Sequence, residues 1–173
     1  MGIFSIFKKR KSTPDVVLDD HVAGSIADLQ CDDFLGKAAE AGHKAKAAVK
    51  AKKYHEAWKL YHDQKSLYMQ HANKFGFTAR QTIALDASVH EDMANILRHE
   101  NKHEEALVHI VYWVLAGNDR PLKRHQQKLK SYFNRCKFKK TTLSEAQRAI
   151  QLQSKMAEFK RASSSVAGWI SRG

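Results

Sequence analysis

His90–Leu115, HEDMANILRHENKHEEALVHIVYWVL, decides how the whole chain is read. Taken as one helix, His99-Glu100-Asn101-Lys102-His103 is an HExxH pattern. Two histidines one turn apart would hold zinc, and Glu100 would activate a bound water. Taken as helix, turn and helix, the same residues form a hairpin. Asn101-Lys102 is then the turn, and Ala106, Leu107, Ile110, Val111, Val114 and Leu115 make the apolar side of the second helix. The hairpin reading is preferred for three reasons. Lys102 puts a charge at an inner position of HExxH that is ordinarily uncharged. No stretch of the chain alternates with the period of two that a sheet requires. Ten histidines also make a chance match easy. The expectation is a non-enzymatic protein with no cofactor, and His99, Glu100 and His103 as zinc-hydrolase residues are the alternative.

Working outward, helical signals continue on both sides. Asp32 or Asp33 caps a helix that runs through the alanine-rich Lys37–Ala51, followed by a turn at Lys52-Lys53. Tyr54–Phe75 carries Trp58, Tyr61, Tyr68 and Ala72 at helical spacing and stops at Gly76. Thr78 with Gln81, and Thr142 with Glu145, have the spacing of capping boxes and open two further helices. Gly117-Asn118 ends the second helix of the hairpin, and Asp119 with Pro121 starts a basic helix over 119–140. The prediction is an all-α protein of about six helices: a leader over 1–30, one helical domain over 31–160, and a tail over 161–173. Val166, Trp169 and Ile170 could dock that tail back on the domain.

An offset of 49 residues aligns Ala45–Tyr61, AKAAVKAKKYHEAWKLY, with Ala94–Ile110, ANILRHENKHEEALVHI. Ala45 meets Ala94, Lys53 meets Lys102, Glu56 meets Glu105 and Ala57 meets Ala106. Asn101-Lys102-His103-Glu104-Glu105-Ala106-Leu107 and Lys53-Tyr54-His55-Glu56-Ala57-Trp58 resemble the turn into the second helix of a tetratricopeptide repeat. The resemblance covers about residues 38–118. It implies antiparallel helix hairpins, stacked as a solenoid fragment, with small residues where the helices approach most closely and a groove that binds a protein or peptide segment. Tyr54, Trp58, Tyr61 and His103 are the expected groove residues, and Ala57 and Ala106 the expected crossing residues. The period is longer than the family's roughly 34 residues, which predicts longer helices. Gln64 and Trp113 stand where the family prefers a small side chain. An ordinary helical bundle with short turns is the other architecture these residues allow.

Charge is distributed unevenly. The chain has 30 Lys/Arg and 18 Asp/Glu, a net +12. Residues 12–118 carry 12 Lys/Arg against 15 Asp/Glu, whereas 119–173 carry 14 against 3. Within Arg120–Lys140 there is no acid at all, and Arg120, Lys123, Arg124, Lys128, Lys130, Arg135 and Lys137 are the expected binding residues for a polyanion. Cations this dense repel one another, so RNA, DNA or an acidic protein would relieve a cost. Leu122, Leu129 and Phe133 are expected to face the domain. No signature of sequence-specific nucleic-acid reading is present. At the start, Ile3, Phe4, Ile6 and Phe7 precede Lys8-Lys9-Arg10-Lys11, so residues 2–11 are a candidate for peripheral contact with an anionic membrane. This order is the reverse of a secretory signal. Cys31 and Cys136 lack the spacing of a disulfide framework or a metal site, which points to a reducing, cytoplasmic setting.

Overall fold

The computed structural model describes residues 33–117, 122–153 and 156–172, and over these segments the protein is helical with no strand. A first hairpin pairs α1 (Phe34–Lys50) with α2 (Tyr54–Lys74). After α3 (Ala79–Ser88), a second hairpin pairs α4 (His90–His99) with α5 (His103–Ala116). The basic helix α6 (Lys123–Cys136), α7 (Leu143–Gln151) and α8 (Phe159–Ser171) follow. The leader, its Lys8–Lys11 run, Asp119, Arg120 and Pro121 lie outside the described residues.

The two hairpin turns have the same backbone. Lys52 and Asn101, 49 residues apart, both take the left-handed conformation, with φ of 60° and 61°. In the first turn the amide of Lys53 donates to the carbonyl of Ala48 at 2.9 Å, and that of Lys52 to Val49 at 3.0 Å. In the second, Lys102 donates to Leu97 at 2.9 Å and Asn101 to Arg98 at 3.2 Å. Each is a Schellman stop, which satisfies carbonyls that the helix end leaves unpaired. The hairpin reading of His90–Leu115 therefore holds. The sequence repeat is matched inside the helices too: Ala45, Ala57, Ala94 and Ala106 have no solvent exposure. Gln64 is accommodated because the small residue sits on the opposite helix. A Cβ added to Gly42 of α1 would meet the Gln64 side chain at 2.9 Å.

The expectations of helix number and length are corrected. The extra length of the repeat holds an additional helix, α3, rather than longer helices alone. The single helix expected from Thr78 is interrupted at Val89. There the Ser88 hydroxyl donates to the carbonyl of Leu85 at 2.6 Å, and the Val89 amide reaches Asp86 three residues back at 3.4 Å. Such local side-chain bonding competes with the helical ladder. The expected tail contains α8, whose Ala162, Val166 and Trp169 are buried. Eight helices are present among the described residues, against about six expected. Both capping boxes are in place: Thr78 and Gln81 exchange side-chain-to-backbone bonds at 3.3 and 2.9 Å, and Thr142 and Glu145 at 3.3 and 2.6 Å.

Apolar burial is divided between two clusters. One joins α1 and α2 to α4 through Ala45, Ala57, Tyr61, Val89, Met93 and Ile96. The other surrounds α5, which packs on α3, α4, α6 and α8. The half-buried Trp58 packs against both.

Candidate functional site

A layer of buried and half-buried polar groups joins α2, α3, α4 and α5. His90 of α4 and His109 of α5 are 2% and 8% exposed. Their rings are in tilted contact, with centroids 4.7 Å apart. The Lys65 ammonium of α2 is 2.8 Å from His90 Nε2 and 3.1 Å from Asp86 Oδ1 of α3. The Tyr112 hydroxyl donates to Asp86 Oδ2 at 2.8 Å. Phe159, at the start of α8, sets its ring edge-on to His90, His109 and Tyr112. Trp58 of α2 meets His109 from the other side.

This geometry fixes protonation. An ammonium has no lone pair, so His90 Nε2 must accept from Lys65 and its proton resides on Nδ1. His90 Nδ1 and His109 Nδ1 are buried without a hydrogen-bond partner among the described residues. Burial pushes His90 below its ordinary value, and Lys65 adds to this against the pull of Asp86. Burial, with His90 and Lys65 nearby, pushes His109 down to about 3. Burial alone would raise Asp86. The Lys65 charge and hydrogen bond and the Tyr112 hydroxyl outweigh it and hold the carboxyl well below the usual range. Burial, and next the Asp86 charge, raise the Tyr112 phenol. At neutral pH the layer thus holds two neutral imidazoles beside one ammonium–carboxylate pair.

The basic helix divides its cations. At 100° per residue, Arg124, Lys128 and Arg135 fall on one flank of α6, and Lys123 and Lys130 about 130° away on the other. Arg124 and Lys128 both reach Glu91 of α4, at 2.7 and 3.0 Å. Arg124 also lies 5.9 Å from the Trp113 ring centre. Lys123, Lys130 and Lys137 are exposed and have no carboxylate partner among the described residues. Leu129 and Phe133 are buried as expected. Leu122 is not: it is 56% exposed, because it precedes the helix in extended conformation and never joins the apolar seam. His125 takes the inward place instead, and its Nδ1 accepts from the Leu122 amide at 3.3 Å.

The other candidate residues are dispersed. His99 ends α4 and His103 starts α5, so the one-helix geometry of HExxH is absent. His99 stacks flat on Tyr54 at 5.5 Å, and Lys102 pairs with Glu100 at 3.0 Å. Tyr54 and Trp58, with Ile96 and Leu97, line a cleft of about 280 Å³ rimmed by Glu100, Lys102 and Glu105. His103 borders a neighbouring cleft beside Arg135 and Cys136. Tyr61, Ala57 and Ala106 are buried at helix crossings and present no surface to a ligand. Comparison with family models, curated proteins and solved structures returns no match.

The polar layer is readable in the sequence only in part. His90 falls on the apolar face with Ala87, Ala94 and Leu97, and Asp86 stands one turn before it. That spacing is a signal. Nothing in the sequence indicates that Lys65 and His109 join them.

Proposed function

We propose that the protein is a non-enzymatic interaction module of tetratricopeptide-like build, which presents a cleft to a protein segment and the α6 surface to a polyanionic or acidic partner. The observation that carries this reading is the duplicated hairpin, with the same turn, the same hydrogen bonds and buried alanines at a 49-residue offset. Hairpins that repeat in this way stack to form extended clefts, and Tyr54 and Trp58 line one here. A nucleic-acid partner is the second reading. It is favoured by Lys123 and Lys130, about 10 Å apart along α6, and by Lys137 at its C-terminal cap, none of which has a carboxylate partner among the described residues.

Binding to duplex DNA and to polyglutamate, each measured over a range of salt, tests the basic surface. Lys123→Gln, Lys130→Gln and Lys137→Gln combined should flatten the slope of log affinity against log salt for duplex by about 2–3, since each phosphate neutralised contributes about 0.9. Arg124→Gln with Lys128→Gln should change it less, because those cations already hold Glu91. Affinity for polyglutamate alone would select an acidic protein as the partner. A triple variant that binds both probes as the parent does would reduce the surface to a solvated face.

A further inference from the structure

The polar layer lies where the α1–α2 hairpin meets the rest of the protein, and its charge is balanced with nothing to spare. The groups facing the two histidines are Lys65 and His62 from α2, Asp86 from α3, Tyr112 from α5 and the phenyl ring of Phe159 from α8. Asp86 is the one carboxylate among them, and Lys65 already neutralises it. A proton added to His90 removes the acceptor that Lys65 uses and places two cations in competition for Asp86. A proton added to His109 places another cation 4.7 Å away, with no partner at its Nδ1 among the described residues. Unpaired charge in an apolar interior is expensive, whereas in water either imidazolium is unremarkable.

We propose that the Lys65–Asp86–His90–His109 layer is an acid-sensitive hinge, at which proton uptake loosens the α1–α2 hairpin from the α4–α5 hairpin. The contribution has a definite sign. Both histidines have depressed values in the closed form, so the closed form is fully favoured above the ordinary histidine value of about 6.5. That advantage is lost as pH falls below 6.5 towards the lower, closed-form values. In this window each histidine freed by opening favours the open form about tenfold more per pH unit. Withdrawal of α2 removes Lys65 and Trp58 from the pair, which is how opening frees the rings. The apolar contacts of Tyr61, Met93 and Ile96 resist opening, so the open form can remain a minority while its population climbs.

Hydrogen exchange of the full chain, read peptide by peptide at pH 7.5 and 5.5 and corrected for the intrinsic rate at each pH, tests this. Protection in α1 and α2 should fall at least tenfold on acidification while α5 and α6 hold theirs. His90→Gln with His109→Phe keeps an acceptor for Lys65 and an aromatic ring against Trp58 and Phe159, and should abolish the difference. Should that variant not fold, Lys65→Met serves instead. It deletes the competing ammonium and leaves Asp86 to a histidinium, which narrows the gap between the open-form and closed-form values, so the loss of protection between pH 7.5 and 5.5 should shrink. Equal protection at both pH values, a loss spread evenly over all helices, or an unchanged response in the variant that folds would overturn the proposal.

Discussion

Two alanines show what a single residue decides here. Ala57 and Ala106 stand 49 residues apart, each four residues past the left-handed turn residue's successor, each fully buried where a hairpin closes. A methyl is all the crossing admits. Ala106→Leu should overpack it and lower stability by about 1–3 kcal/mol, with the helical signal retained at low denaturant. Urea unfolding of the variant beside the parent checks this, and an unchanged midpoint would show that the crossing has room. These positions are legible in the sequence because a small side chain at matched places in a repeat marks where two helices approach closely. The left-handed turn residues are harder to see. Asn101 suits that conformation, but Lys52 does not advertise it, and only the offset from Asn101 points there. The buried histidines are harder still, because a helical histidine reads equally well as a surface group until its neighbours are known.

At the scale of the element, α6 shows how composition misleads and spacing corrects it. Nine cations without an acid between 120 and 140 suggest one positive face. A helix distributes them around its axis, and Glu91, contributed by another helix, claims Arg124 and Lys128. Glu91 is only 13% exposed in its side chain, so these pairs tie the start of α6 to α4. Glu91→Gln keeps the shape and removes the charge. It should lower stability by about 1 kcal/mol, as expected for charge-assisted bonds whose cations remain partly in water. Affinity for duplex DNA should hold or rise in the same variant, because two cations are released. A fall in affinity would mean that Glu91 orients Arg124 and Lys128 towards the ligand. The seam of α6 is legible at Leu129 and Phe133 but not at Leu122, because periodicity gives a face but not the residue at which a helix begins.

For the whole molecule, the last helix carries more than its sequence suggests. Ser163-Ser164-Ser165 in a chain end of mixed polarity reads as a tail, yet α8 packs along α5. Trp169 is 2% exposed, with its ring edge-on to Phe133 and Phe138 and its backbone carbonyl accepting from Thr141 at 3.5 Å. Ala162, Val166 and Trp169 recur at helical spacing, so the signal is present, but an apolar face on thirteen residues does not reveal which surface it will cover. Alternation and caps are local and therefore legible; docking depends on what another part of the chain leaves uncovered. Here the uncovered surface belongs to α5 and α6, and it lies in the larger of the two apolar clusters. Trp169→Ala should accordingly lower stability by about 3–5 kcal/mol, the range for deleting a buried aromatic side chain, through lost transfer energy and the cavity left behind. Because that cluster includes residues from α3 to α8, the loss should appear as a lower midpoint of the main unfolding transition rather than as fraying of the chain end. Thermal unfolding followed by circular dichroism, with hydrogen exchange in α5 as the local reporter, distinguishes the two. A variant that melts with the parent and loses protection only in α8 would return this segment to the status of a tail.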